Sequence, residues 1–147
     1  MRKRLVTGLF GLLGVAGAAG LVGGGGITSA GEMKDASYAV KVDVPPAAVG
    51  KHAIVKLHLK PGQGYHVNKE FPVGVTLVSS AGVKTDKPKL GKADAARFDE
   101  TGVDFDLDLV AAAPGKQVVA ADMKFAVCSA TACEPKREKV SFTLEVK

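Results

Sequence analysis

The sequence predicts an all-β fold, an immunoglobulin-like antiparallel β-sandwich that follows an N-terminal signal segment. From Tyr38 onward, apolar and polar residues alternate with a period of two, which is typical of strands with one buried face. Turn-forming residues recur about every ten positions, and no segment carries the apolar stripe of an amphipathic helix. The 147-residue chain is long enough for one such domain.

The strands are assigned in chain order from the alternation and from the turns between them. Pro45-Pro46 ends the first strand, the glycine-rich segment 61–64 follows the second, and Pro114-Gly115-Lys116 turns the chain before the sixth. The clearest alternation, at 103–109, places Val, Phe and Leu inward and three aspartates outward. The predicted strands are 38–44, 52–60, 65–68, 71–77, 103–109, 119–127 and 140–146.

Residues 79–100 form the least regular segment, rich in Gly, Lys, Asp and Ala, with Pro88 in its middle. We expect a long connection with one short strand there. A short helix over 92–97 is the alternative, although no apolar stripe supports it. The core is expected to consist mainly of Val, Leu and Ala, because tryptophan is absent and aromatic residues make up only 5% of the chain.

Residues 1–30 are predicted to be a secretory signal peptide, with an uncleaved membrane anchor as the alternative. Residues 2–4 are basic, no charged residue follows until Glu32, and the stretch ends in Thr28-Ser29-Ala30, a small-residue pattern that signal peptidase can cut. The many glycines of this stretch weaken it as a membrane-spanning helix. The protein is therefore expected to be exported.

We expect residues 31–37 to be a short linker and residues 38–147 to be the β-sandwich domain. The full chain carries 20 Lys+Arg and 15 Asp+Glu, but residues 1–30 contain three of those bases and no acid, so the remainder has a net charge of only +2. This balance argues against a nucleic-acid-binding face, which needs clustered Lys and Arg. Motifs for hydrolytic or phosphate chemistry are also missing from the sequence.

The two cysteines of the chain, Cys128 and Cys133, lie five positions apart in the expected turn of a β-hairpin. In an exported protein such a pair is expected to form a disulfide. A ring this small stabilises a fold by roughly 2 kcal/mol in the loop-entropy model, so it is a weak staple that a partner thiolate could reach. Because Phe125 and Val127 face the core, Cys128 is expected to point to the outer face. A local clip that stiffens one turn is the alternative interpretation.

The residues after the second cysteine bear on its reactivity. Pro135 has no N–H, so strand pairing just past Cys133 is expected to be weakened. Lys136 and Arg137 favour a thiolate, whereas Glu134 opposes it, and the sequence leaves that balance open.

The sequence does not favour a metal site. His52 and His58 share a strand face about 20 Å apart, too far to bind one ion. His58 and His66 would face each other across a hairpin if residues 61–64 made a tight turn. A stable site needs a third ligand, and none is evident nearby, so we expect solvated side chains, no metal and no cofactor.

The residues around the cysteines resemble a known family. The segment 118–128, followed by Cys133-Glu134-Pro135, is similar to the N-terminal periplasmic domain of the DsbD family of thiol:disulfide interchange proteins. Residues 61–67 match that domain's glycine-tyrosine strand, and residues 98–109 are similar to a later strand. The blocks occur in the same order, and the resemblance spans roughly residues 53–146.

The resemblance implies an immunoglobulin-like periplasmic domain that shuttles reducing equivalents between a thioredoxin-like domain and periplasmic disulfide proteins. It implies that partners attack the sulfur of Cys133 and that Cys128 is the resolving cysteine. Tyr65 would lie beside the disulfide, with Glu134 and Pro135 flanking it. The family's aromatic cap loop would fall within Pro88–Phe98, where Phe98 is the aromatic residue.

The sequence therefore predicts a bacterial, periplasmic or extracellular thiol:disulfide exchange module, a component of a thiol:disulfide oxidoreductase system. Its expected partner is a thioredoxin-fold protein or a membrane thiol-transport protein. The alternative is a non-catalytic β-sandwich that binds another molecule, with a disulfide that only clips a turn.

Overall fold

A computed structural model describes residues 32–147 of the chain, and the expected signal segment 1–30 lies outside the described residues. The described part is almost entirely strand and contains two antiparallel sheets. This confirms the predicted all-β fold and its antiparallel β-sandwich architecture. In the part of the chain that the structure describes, no helix combines the length and the apolar character needed to cross a lipid bilayer.

Eleven strands and one 3-10 turn form the described domain. In chain order they are β1 (Glu32–Lys34), β2 (Tyr38–Asp43), β3 (His52–Pro61), β4 (His66–Val67), β5 (Gly74–Ser79), β6 (Val83–Lys84), β7 (Lys89–Gly91), a 3-10 turn (Lys92–Asp94), β8 (Ala95–Asp99), β9 (Gly102–Ala111), β10 (Gly115–Cys128) and β11 (Cys133–Val146).

The first sheet has the order β1-β2-β3-β9-β6, and β8 also pairs with β9. Since β3 pairs along β9 from Val103 to Val110, strands β6 and β8 share the opposite edge of β9, one at each end. Strands that are consecutive in the chain pair at β1–β2, β2–β3 and β8–β9, whereas β6 and β9 are separated by β7 and β8, and the most distant neighbours are the β3–β9 pair. That pair joins the two halves of the sequence at the centre of the sheet.

The second sheet has the order β11-β10-β5-β7, and β4 also pairs with β10. Strand β10 is the central strand of this sheet. Strand β11 pairs with every residue of β10 along one edge, while β5 and β4 pair with different parts of the other edge. Strand β5 covers Val119–Lys124 and β4 covers Val127 and Cys128. A parallel bridge between Ala47 and Val146 links the segment after β2 to β11.

The core lies between the sheets and is built from the inward positions of both. As composition predicted, it consists mainly of Val, Leu and Ala with few aromatic rings, and the rings of Tyr38 and Phe125 contact edge to face at 4.9 Å. Burial of this apolar area is the main source of stability. The largest fully buried side chains are those of Phe105, Phe125, Leu57, Leu59, Leu107, Leu109, Met123 and Leu144.

Several local expectations need correction. Part of the expected 31–37 linker is strand β1, which pairs with residues 39–41 of β2. The segment 79–100 contains three short strands rather than one, and the 3-10 turn is the only helical structure there. Regular alternation cannot reveal strands of two or three residues, because so few positions define no period.

The strand after Cys133 is also longer than expected. It begins at Cys133 and keeps an unbroken register through Pro135, which lies opposite Ala126. Ser129 and Ala132 are joined by a backbone hydrogen bond, so alternate pairs along the hairpin, including Pro135 with Ala126, are the non-hydrogen-bonded ones. The missing N–H of Pro135 therefore faces the open edge of β11 and removes no ladder bond.

Candidate functional site

Cys128 and Cys133 form the predicted disulfide at the closed end of the β10–β11 hairpin. They are direct cross-strand partners, with 2.00 Å between their sulfurs and 3.9 Å between their Cα atoms. Residues 129–132 make the turn, in which the Ser129 N–H donates to the Ala132 carbonyl at 2.7 Å. The Ser129 hydroxyl accepts from the Ala132 N–H at 3.2 Å. The disulfide therefore closes a turn that is already held by its own hydrogen bonds.

The two halves of the disulfide differ in exposure. Cys133 is exposed, whereas Cys128 is only 4% exposed. Cys128 does alternate away from the core, as predicted, because Val127 belongs to the core cluster and Cys128 does not. Cys128 is nevertheless buried, and it has a paired strand on each side, β4 and β11, while Cys133 lies on the edge strand β11. Only the Cys133 side of the bond is open to a partner.

Strand β4 places His66 directly opposite Cys128. The strand is fixed on both sides, because the Val67 N–H donates to the Glu100 carbonyl at 2.9 Å and the Asn68 N–H donates to the Ala126 carbonyl at 2.9 Å. Across the second sheet, His66, Cys128 and Cys133 thus form one row on β4, β10 and β11. His66 is exposed.

This pairing excludes the hairpin arrangement in which His58 and His66 would face each other. Residues 61–64 carry the chain from the first sheet to the second and do not close a hairpin. His58 lies between two carboxylates of the first sheet, 2.8 Å from Asp104 and 3.2 Å from Asp43. Within the described residues, no group of three or more His, Cys, Asp or Glu side chains is arranged to hold a metal ion.

Tyr65 and Phe98 lie in different surroundings. Tyr65 is half-buried against the core, precedes His66, and donates its N–H to the Gly62 carbonyl at 3.0 Å, so it is at the cysteine end of the molecule. Phe98 belongs to β8 in the first sheet, packs on the core, and has the Lys92 ammonium 4.9 Å from its ring centre.

The charged residues after Cys133 are held in pairs. The Lys136 ammonium lies 2.9 Å from the Glu134 carboxylate, and this hydrogen bond is the main reason why the pKa of Lys136 is raised. Arg137 lies 3.0 Å from Asp122, which raises the pKa of the arginine. The charges of Glu134 and Lys136, which the sequence set against each other, are therefore paired with one another beside Cys133.

Behind Lys136 lies a buried tyrosine. The Tyr38 hydroxyl donates to the Glu138 carboxylate, and the Lys136 ammonium is 5.9 Å from the Tyr38 ring centre. Burial first, and then the Glu138 carboxylate, raise the pKa of Tyr38 above its ordinary value. The phenol therefore stays neutral and ties the strand after Cys133 to the first sheet.

A shallow groove of about 310 Å³ lies on the β10–β11 hairpin, lined by Phe71, Lys124, Pro135, Lys136 and Arg137. The sequence placed Phe71 in a core-facing strand, but β5 starts only at Gly74, and Phe71 is half-buried with the Lys124 ammonium 5.8 Å from its ring centre. The signal that could have shown this is Pro72, since proline rarely continues a central strand.

The fold and the site together define an all-β sandwich domain with a half-exposed disulfide at a hairpin tip. No protein-family model matches the chain, and no curated protein matches it. Among solved structures it is similar to AggA, the major subunit of aggregative adherence fimbriae type I from Escherichia coli, with 9% identity and a TM-score of 0.40 over 75% of this chain and 95% of that one. A likeness this distant does not bear on function.

Proposed function

We propose that this protein is a thiol:disulfide exchange module that passes reducing equivalents through the Cys128–Cys133 pair to or from a thioredoxin-fold partner. The observation that supports this most is the unequal exposure of the disulfide. An incoming thiolate can reach Cys133 on the edge strand, while Cys128 is 4% exposed and is shielded from direct attack. Such asymmetry suits a bond that is attacked at one defined sulfur.

The chemistry follows from that asymmetry. A partner thiolate attacks the Cys133 sulfur, the disulfide breaks, and its electron pair leaves on the Cys128 sulfur, which then takes up a proton. The resulting mixed disulfide joins Cys133 to the partner. A second partner thiolate attacks the partner's own sulfur in that bond and releases Cys133 as a thiolate, which also takes up a proton. The partner dithiol is oxidised and this protein's disulfide is reduced, and the reverse order of steps carries the electrons back.

A purely structural role would gain little from this bond. The hairpin that it closes has two strands of 14 residues in continuous register. A ring between residues five positions apart contributes roughly 2 kcal/mol in the loop-entropy model. The fold would therefore survive reduction, which an exchange module requires.

The partner class and the compartment belong to the same proposal. A thioredoxin-fold protein or a membrane thiol-transport protein presents the exposed thiolate that this reaction needs. The expected signal segment at residues 1–30 would place the domain in the periplasm or outside a bacterial cell, where disulfides form and persist.

The experiment is a trapping assay with a thioredoxin-fold protein that lacks its resolving cysteine. With the partner's remaining cysteine activated as its mixed disulfide with thionitrobenzoate, we expect the exposed Cys133 thiol of Cys128→Ala to displace thionitrobenzoate and form a covalent mixed disulfide. The matched variant Cys133→Ala leaves the covered Cys128 and should trap at most a small fraction as much. Equal trapping by both variants would contradict attack at Cys133. No trapping by either would instead favour a non-catalytic binding domain whose disulfide only clips a turn.

A further inference from the structure

His66 lies next to Cys128 in the sheet, at a position from which it can take part in thiol:disulfide exchange. It lies directly opposite Cys128 across the β4–β10 pair, in the row that continues to Cys133. Residues directly opposite each other in antiparallel strands project to the same face, with Cβ atoms about 4.5–5.5 Å apart. His66 therefore projects from the same face of the second sheet as Cys128, whose sulfur leaves when the disulfide opens, and from the neighbouring strand.

The other histidines of the described residues 32–147 are engaged differently. His52 lies 2.8 Å from Asp108, and His58 lies between Asp104 and Asp43, all in the first sheet. His66 makes no carboxylate contact in that part of the chain, and it is exposed to solvent. An exposed imidazole beside a covered sulfur can exchange protons with water on one side and with the sulfur on the other.

We propose that His66 gives a proton to the Cys128 sulfur as the disulfide opens and takes it back as the disulfide re-forms. In the opening direction, a partner thiolate bonds to the Cys133 sulfur, the electron pair of the broken bond goes to Cys128, and the imidazolium of His66 supplies the proton that makes the thiol. In the closing direction, neutral His66 removes that proton, and the Cys128 thiolate attacks Cys133 and expels the partner thiolate. The inference rests on the proposed exchange function.

His66 is the ionisable residue paired directly with Cys128, and most of the other charged groups on the neighbouring strands are in ion pairs. The other charges nearby are largely neutralised in pairs, since Lys69 lies 3.7 Å from Glu100, Lys136 lies 2.9 Å from Glu134, and Arg137 lies 3.0 Å from Asp122. The charged groups on the elements around His66 are Lys69 and Glu70 on its own segment, Asp122 and Lys124 on β10, Glu134, Lys136 and Arg137 on β11, Asp99 at the end of β8, and Glu100 in the turn before β9. Histidine side chains change charge between about pH 5 and 8, where exchange proteins work.

The first test measures the Cys128 thiol alone, in the full chain with Cys133→Ser, by its thiolate ultraviolet absorbance across pH. We expect His66→Gln to lower the thiolate fraction of Cys128 about tenfold at pH values where the histidine is charged, because an opposite charge at this range stabilises a thiolate. His66→Lys keeps the charge and should keep the thiolate. His52→Gln, an exposed histidine of the first sheet, is the matched control and should leave the titration unchanged. The inference would be overturned if the Cys128 thiol titrated identically in the His66→Gln protein and in the protein that retains His66.

The second test follows the opening of the disulfide by a small dithiol between pH 5 and 8. We expect both His66→Gln and His66→Lys to lose the part of the rate profile that depends on a histidine proton, whereas His52→Gln retains it. An unchanged profile in His66→Gln would contradict a role in proton transfer. If the Cys128 titration shifts but no mixed disulfide can be trapped, the exchange function fails while the His66–Cys128 coupling stands. If trapping succeeds and both tests show no shift, only the role of His66 fails.

Discussion

Reduction of the disulfide should lower the stability of this domain by a small, calculable amount. The bonded cysteines are five positions apart, and the loop-entropy model gives roughly 2 kcal/mol for so short a ring. The hairpin is also held by the β10–β11 pairing along both strands and by the core between the sheets. Since domains of this size are stable by about 5–15 kcal/mol, the reduced protein should remain folded.

The assay is urea unfolding with and without a phosphine reductant. With a denaturant dependence of about 1–2 kcal/mol per molar urea, we expect reduction to lower the midpoint by about 1–2 M and to leave the slope nearly unchanged. The double variant Cys128→Ala/Cys133→Ala is the control, and its midpoint should not respond to the reductant. Unfolding on reduction, or a loss above about 4 kcal/mol, would refute the reasoning, because the bond would then be a structural staple.

Two further substitutions test the packing that positions the site. Gly62→Ala should destabilise the domain by about 1–3 kcal/mol in the same assay, because its Cβ would overlap the Ala36 carbonyl oxygen. The control Gly91→Ala has open space around it and should be nearly neutral. Equal losses of stability in the two variants would contradict this reasoning. Tyr38→Phe should cost about 2 kcal/mol at neutral pH by removing the hydrogen bond to Glu138. The pKa of Tyr38 is raised in the fold from its ordinary value near 10. The neutral phenol therefore stabilises the native state below about pH 10, and that stability is lost as pH rises further. An equally steep alkaline decline in the stability of Tyr38→Phe would contradict this pH dependence.

The long strands could be predicted because their signal is local. The alternation of Val103, Phe105, Leu107 and Leu109 with aspartates reports one buried face, and the structure buries those four residues completely. The hairpin disulfide was predictable for the same reason, since the two cysteines flank a turn of small residues at the end of an alternating strand.

The partners of short strands could not be predicted in this way. Residues His66 and Val67 are too few to define a period, and their pairing with β10 depends on how the turn at 61–64 packs against residues 36 and 37. That pairing decides both the cover over Cys128 and the place of His66. The sequence therefore indicated the disulfide but not which of its sulfurs is shielded, nor which histidine lies beside it.

The account depends most on the claim that another protein can open the Cys128–Cys133 bond reversibly. The direct measurement is the reduction potential of this pair in the full chain, determined by equilibration with glutathione and thiol alkylation. We expect a value well above about −300 mV, within reach of thioredoxin-fold proteins. A value well below that limit would identify a structural bond and contradict the exchange function.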